Sequence, residues 1–242
     1  MTLGQIYDFS SIENSINSCL RSVLSLLIFD SKNISPKKYE RVNKLIDTEK
    51  KQNINNFTLV ESSLSFYDKK NDSLFFDTDI DKFFLKGISI SIENREVGKW
   101  NQPIIYDPFL KEYGLVSFTE NNKRKYLLKL NIEPGYEFGF NLGPTFIKRE
   151  YDKTDFLNEL KNKIGEYNSC KLIKNINMSE EGGRFYKSVI NHCFYDVDWI
   201  NIVKVNKEFY VFDEDEIKII NELGFLSMEA RSLMFFANSV YN

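Results

Sequence analysis

The sequence predicts an α+β fold, with a largely antiparallel, twisted sheet and helices packed on it, and three observations predict it. Apolar residues recur at three- and four-residue steps through residues 1–55; from Phe57 that spacing gives way to short β-type runs parted by turns; and two helical patterns close the chain. This divides the chain into an N-terminal helical hairpin, residues 1–55, and a body, residues 56–242.

In the hairpin, Ile12, Ile16, Cys19, Leu20, Val23, Leu24, Leu27 and Ile28 form one apolar stripe, with Ser10 or Ser11 placed to cap its start. The second helix begins at Ser35-Pro36, a cap followed by a proline whose missing N–H costs nothing in a first turn, and carries Tyr39, Val42, Leu45 and Ile46 on one face before the polar run Lys50 to Asn56. The stripe needs a partner, and the chain's own core is favoured over a second copy. Strands are expected over Thr58–Glu61, Leu74–Phe76 and Phe83–Ile92, where Ile88 to Ile92 alternates strictly. Leu115–Thr119 and Tyr126–Ile132 flank the turn Glu120-Asn121-Asn122-Lys123 as a hairpin. Thr145–Lys148 is a further short strand, and Asp155 to Ile164 a helix stopped by Gly165. Leu172–Met178, Tyr186–Val197, Ile200–Val205 and Phe209–Phe212 resume the sheet. Asp213 and Glu216 stand at capping-box spacing for a helix that stops near Gly224; Ser227 caps the last helix, with Leu233, Phe236, Ala237 and Val240 on its apolar face.

A net charge of -3 over 242 residues lacks the basic excess that phosphate neutralisation along a nucleic acid requires. Cys19, Cys170 and Cys193 are odd in number and far apart, which argues against a disulfide framework and a cysteine zinc site. His192 is the only histidine and lies in an apolar run, where a satisfied core residue is the better reading than a catalyst. Val23–Phe29 is far shorter than the ~20 residues of a membrane span, and no basic segment precedes it, so the cytoplasm is the expected compartment.

Four islands of rigid, acidic and aromatic residues stand outside these patterns. In Lys99 to Ile105, Pro103 pushes Gln102 into an extended conformation, so that Trp100 and Gln102 offer a flat indole and a two-sided amide at a strand end. Glu133-Pro134-Gly135 holds a carboxylate on a stiff turn, and Leu142 to Thr145 is a second stiff segment. Ser179-Glu180-Glu181-Gly182-Gly183-Arg184-Phe185 is the most informative: adjacent carboxylates raise one another's pKa, glycines admit a ligand to the backbone, and a guanidinium grips phosphate. For each island the plainer reading is core or solvated turn.

Taken together in this order and spacing, the islands resemble those of the NDP-hexose 2,3-dehydratases of deoxysugar biosynthesis, which carry Trp-x-Gln-Pro, Glu-Pro-Gly, Leu-x-Pro-Thr and Ser-Glu-Gln-Gly-x-Arg-Phe. The resemblance runs from about Phe57 to the C-terminus. It departs at Glu181, where the family has Gln, at Arg149-Glu150, where it has Ser-Asn, and at Ile190-Asn191, where it has Asn-Arg. It implies a Nudix-like fold, a twisted mixed or antiparallel sheet with packed helices, used without the Nudix metal box; no Gly-x5-Glu-x7-Arg-Glu pattern occurs here. Family members are usually two such modules in tandem. A one-module chain is therefore expected to pair as a homodimer, or as a heterodimer with a sister module.

The implied substrate is an NDP-4-keto-6-deoxyhexose, dTDP-linked in the first instance. Its C4 ketone acidifies the C3 proton and leaves the C2 hydroxyl as a β leaving group, so the elimination calls for a base, a donor to the enolate and an acid, with no cofactor and no metal. On chemistry and island position, Glu180 or Glu181 is the expected base and Tyr186 or Gln102 the enolate donor. Arg184, helped by Lys99, grips the diphosphate, and Trp100 stacks on the base or sugar; Glu133 and Thr145 complete the substrate-binding candidates. The rival reading is a non-catalytic nucleotide-sugar-binding or partner subunit.

Overall fold

The computed structural model describes residues 34–53, 66–68, 73–75, 84–93, 96–133, 135–136, 138–150, 152, 158, 160, 162, 165–180, 184–202 and 208–241. The first expected helix, Ile12 to Ile28, and the strand Thr58–Glu61 lie outside them. The elements are α1 (Pro36–Asn53), β1 (Phe66–Asp68), β2 (Ser73–Phe75), β3 (Phe84–Ser91), β4 (Lys99–Tyr106), β5 (Lys111–Glu120), β6 (Lys123–Ile132), β7 (Phe140–Gly143), β8 (Phe146–Arg149), β9 (Gly165–Ser179), β10 (Val189–Ile202), β11 (Phe209–Asp213), α2 (Glu214–Glu222) and α3 (Met228–Tyr241). Of the helix expected over Asp155–Ile164, Asn158, Leu160 and Asn162 are helical among the described residues.

The α+β expectation holds, but the strands divide into two sheets. β1 to β4 form an antiparallel meander in sequence order; the larger sheet runs β11-β6-β5-β10-β9, with β7 added to β6 and β8 to β5. The larger sheet is mixed, because β10 lies parallel to β5, with His192 opposite Tyr113 and Phe194 opposite Leu115. Side chains alternate along each strand, so these four, with Ile190, point to one face. That face carries the main core, in which Leu115, Leu128, Leu142, Ile190 and Phe194 meet Ile217 and Ile220 of α2 and Ala230, Leu233 and Met234 of α3. The other face carries a smaller core around Val116, Phe118, Leu127, Leu160 and Val197.

Local chemistry sets the boundaries. Asn121 and Asn122 turn the β5–β6 hairpin with φ of 51° and 60°, the left-handed pair that a two-residue turn between twisted strands needs and that asparagine tolerates. Asp213 and Glu216 close a full capping box at α2. Ser227 Oγ accepts from the Ala230 N–H at 3.2 Å, capping α3. Of the expected strands Tyr186–Val197 and Ile200–Val205, residues 189–202 form one strand, β10, which takes up the irregularity as register shifts near Phe194 and Asp198, while 203–205 lie outside the described residues.

α1 packs on the chain's own core: Val42 and Ile46 are buried within it. Its polar face is tied to the start of α2, where Lys38 Nζ reaches Asp213 at 2.7 Å and Asp215 at 2.8 Å and Arg41 pairs with the buried Glu216. Tyr210 donates to Glu49 at 2.5 Å. Residues 36–53 thus share the core of the body that follows. Among the described residues, no helix is long and apolar enough to cross a membrane.

Candidate active site

The first and fourth islands meet. Beyond β3, on its other edge, β4 bonds to the loop that follows β9: the Ile105 N–H donates to Arg184 O and the Tyr186 N–H to Ile105 O, both at 2.7 Å. A parallel bridge between Ile105 and Phe185 results, so the smaller sheet is stitched to the β9–β10 connection. On β4, the Trp100 Nε1–H donates to Gln102 Oε1 at 2.8 Å, which fixes the indole and turns the amide's N–H donors away from it. A shallow open groove of about 340 Å³ is lined by Gly87, Ile88, Ser89, Asn101, Gln102 and Pro103. Further along, Tyr106 and Tyr186 meet edge to face, centroids 6.1 Å apart, with Lys86 Nζ 3.9 Å from the Tyr106 ring and Lys187 Nζ 5.4 Å from that of Tyr186. Lys99 and Arg184 are exposed. Glu181 lies outside the described residues.

Glu180 looks the other way. The β9–β10 register sets Met178 opposite Ile190, and the Glu180 N–H continues the ladder to Ser188 O at 3.0 Å. Two residues on from Met178, Glu180 falls on the face that carries the main core. On that face stand Tyr113, 8% exposed, and His192, 3% exposed, their rings edge to face at 5.6 Å. His192 Nδ1 is 3.3 Å from Ile190 O, so the strand backbone engages one nitrogen of this buried ring, while Nε2 has no hydrogen-bond partner among the described residues. Burial, and then the charges of Glu180, Glu229, Asp107 and Glu133 in falling order, push the Tyr113 phenol well above its ordinary range. Tyr136 is raised by burial and then by Glu133 and Glu229, against the pull of Arg231. Among the described residues, Arg231 Nε is buried without a hydrogen-bond partner. Below Glu180, Lys111 and Asp107 form a buried ion pair at 2.5 Å, with Lys111 Nζ 5.9 Å from the Phe185 ring. Among the described residues, no three His, Cys, Asp or Glu side chains are grouped to hold a metal.

The second and third islands meet each other, as a brace. Asn141 Nδ2 donates to Glu133 Oε2 at 2.5 Å, and Asn131 Nδ2 to Asn141 Oδ1 at 3.3 Å. Gly143 leaves the space for this chain, since a Cβ there would stand 2.0 Å from Asn131 Nδ2. Thr145 is fully buried; its hydroxyl donates to Leu127 O and accepts from the Val116 N–H at 2.9 Å, tying β6 to β5. Both roles of the hydroxyl are thus taken up by strand backbone, a bracing position. Glu133 keeps an exposed residue position and adds charge to the Tyr113–Tyr136 side.

Sequence reading missed Tyr113, Glu229 and Arg231. Tyr113 stands between Glu112 and Gly114, just ahead of the strand expected over Leu115–Thr119, and nothing in that window marks it; only the parallel β5–β10 pairing brings it beside His192. Glu229 and Arg231 read as the solvated side of a capped helix. The tie from Leu142 N–H to Phe225 O and from Ser227 N–H to Leu142 O brings their turn against the sheet.

The geometry, a half-buried carboxylate just beyond β9 beside a loop bonded to β4, can be set against known proteins. A dTDP-4-dehydro-6-deoxy-alpha-D-glucopyranose 2,3-dehydratase of Saccharopolyspora spinosa is 24% identical over 281 aligned positions, covering 100% of this chain and 55% of that protein. The chain thus spans about half the length of this relative. Among solved structures, an ADP compounds hydrolase is similar at a TM-score of 0.42 and 13% identity, over 75% of this chain and 89% of that one. A NUDIX hydrolase from Nitrosomonas europaea is similar at a TM-score of 0.37 and 11% identity, over 55% and 91%. The family model of the NDP-hexose 2,3-dehydratases matches residues 42–236, from the buried face of α1 through β4, the loop after β9 and the turn of Glu229 and Arg231; the chain belongs to that family.

Proposed function

We propose that the chain is a cytoplasmic, metal-independent 2,3-dehydratase that eliminates water across C2–C3 of an NDP-4-keto-6-deoxyhexose in deoxysugar biosynthesis. Family membership supports the reaction class, and the named activity of the Saccharopolyspora relative supports a dTDP-linked sugar. The observation that carries the reading is the placement of Glu180: half-buried, at the end of β9, on the same face as Tyr113 and next to a loop bonded to β4.

In this reading Glu180 takes the C3 proton, which the C4 ketone has acidified. Glu181 stands beside it in sequence and retains that role as a candidate. Donors from Tyr186 or the Gln102 amide meet the enolate oxygen, where preorganised hydrogen bonds act on the developing charge. Arg184 and Lys99 hold the diphosphate, and Trp100, held by Gln102, offers its face to the nucleotide base or sugar. Collapse of the enolate expels the C2 hydroxyl as water, and no electrons leave the sugar.

A second reading is favoured by one observation: Ile190-Asn191 stands where the family carries Asn-Arg. In it the chain binds nucleotide sugar without turnover, as a partner subunit of a two-module dehydratase. The deciding experiment follows C2 and C3 by NMR in deuterated buffer with EDTA, using dTDP-4-keto-6-deoxyglucose. We expect deuterium at C3 and loss of the C2 hydroxyl. Saturable nucleotide binding with an unchanged sugar spectrum would establish the binding-subunit reading instead.

A further inference from the structure

We propose that Lys86 is the second arm of the clamp on the substrate's diphosphate, facing Arg184 across β4. This rests on the dehydratase reading above and changes one residue in it: Lys86 takes the place that sequence assigns to Lys99. Lys86 lies in none of the four islands.

The two faces of β4 decide between the lysines. Lys86 stands in register with Ile104, Ile88 with Gln102 and Ile90 with Trp100, so these six side chains share one face of the smaller sheet. Tyr106 is two residues beyond Ile104 on that face, and Lys86 Nζ lies 3.9 Å from the centre of its ring. On the other edge of β4, Phe185 is bridged to Ile105, which puts its neighbours Arg184 and Tyr186 on the face of Ile104 and Tyr106. The contact between the Tyr106 and Tyr186 rings, 6.1 Å between centroids, agrees with this placement. Lys86 and Arg184 therefore flank Ile104, itself 4% exposed, from either side, their backbones two strand spacings or about 10 Å apart. Lys99 alternates with Trp100 and stands opposite Ser91, so its side chain leaves β4 on the other face.

This layout suits a nucleoside diphosphate. The two cations stand far enough apart to take the phosphates between them over the apolar floor of Ile104, the guanidinium offering a planar fork and the ammonium a compact charge. Lys86 is half-buried and lies against the face of Tyr106, where its charge is screened less than that of a lysine in open water. Gln102 and Trp100 follow on the same face, two and four residues back along β4, so the nucleoside end of the ligand runs towards the indole, about 14 Å from the clamp. The hexose end leaves past the tyrosine pair, where Tyr186, a candidate donor to the enolate, stands.

The test is Lys86→Met, which keeps an unbranched stem over Tyr106 and removes the charge. Binding of dTDP and of thymidine is followed by NMR titration, because thymidine meets the same face without a phosphate. The variant is expected to bind dTDP about 10–100-fold more weakly, the loss of one charge-assisted contact, and thymidine within about twofold of the unaltered protein. Lys86→Arg, which restores the charge, is expected to bring dTDP binding back to within about fivefold. With dTDP-4-keto-6-deoxyglucose, KM is expected to rise by the same factor in Lys86→Met while kcat stays within about threefold, the mark of uniform binding. Unaltered dTDP affinity in Lys86→Met, or an equal weakening of dTDP and thymidine as a displaced sheet would give, would overturn the proposal. A protein that binds dTDP through Lys86 but leaves the sugar unchanged would overturn the dehydratase reading and leave the clamp standing; one that binds neither probe would overturn both.

Discussion

Two regions of this chain look alike as sequence and behave as opposites in the fold. Both are rich in glycine, proline and acidic residues. In the stretch from Asn131 to Thr145 the polar atoms turn inward and end on one another: Asn131 on Asn141, Asn141 on Glu133, Thr145 on two strand backbones. In the segments around β4 and Glu180 the backbone is bonded as well, but the side chains stand at the surface: Lys99 and Arg184 are exposed, and Gln102 lines an open groove. A stiff island is therefore no indicator of a binding site by itself. What separates the two kinds is whether the side chains end on the buried interior or at a surface open to solvent.

That contrast can be broken by substitution. The largest effect is expected at Glu180→Gln, with turnover down by about 10²–10⁴-fold and an unchanged thermal midpoint, because a carboxylate at the end of a strand has little packing to lose. A large drop in the midpoint would return Glu180 to the bracing class. The mirror case is Thr145→Val, which leaves the buried Val116 N–H and Leu127 C=O unpaired and is expected to cost about 2–4 kcal/mol in denaturant unfolding, with activity per folded molecule retained. Loss of turnover at full stability would instead give Thr145 a direct part in the reaction. Gly114→Ala is expected to cost about 1–3 kcal/mol, since a Cβ there would stand 1.9 Å from the Phe146 ring, a rigid group in a packed core.

The smallest effect concerns neither region but the clamp between α1 and α2. Burial works to raise the Asp213 carboxyl, but its bonds to Lys38 and to the Glu216 N–H, and the charges of Lys38 and Lys125, outweigh it and hold the group below its ordinary 3.8. A depressed acid stabilises the fold above its ordinary value, and that contribution is lost as pH falls through the lowered one. Asp213→Asn is therefore expected to cost about 1 kcal/mol at neutral pH, with the gap to the unaltered protein closing below pH 3.8. Urea unfolding at a series of acid pH values checks it; a gap that persisted at the lowest pH would assign the effect to the cap alone.

The legible parts of this fold were local. The Asn121-Asn122 turn, the Asp213 capping box, the Ser227 cap and the apolar face of α1 each follow from residues a few positions apart, where spacing dictates geometry. The pairing of strands distant in sequence was not legible. Alternation shows that Tyr113 faces a core, but not which strand lies alongside, and so the parallel β5–β10 pair and the division into two sheets had no signature within any window. The site followed the same rule: Trp100, Gln102 and Glu180 stood out because their own neighbours are unusual, whereas Tyr113 and Arg231 have ordinary neighbours and acquire meaning only from tertiary placement.

That parallel pair also bears on how the protein reaches its native state. Antiparallel hairpins such as β5–β6 close through a tight turn, while β10 must travel back past β6, β7, β8 and β9 to lie beside β5. Loop closure over such a span comes early in entropic cost and late in reward, so the slowest contacts to form are those between distant strands. Tyr113 and His192 touch only across this seam. A refolding chain would accordingly regain its helices and hairpins before it regains a site, and a ligand that spans the seam would act as a fastener for the last step of assembly.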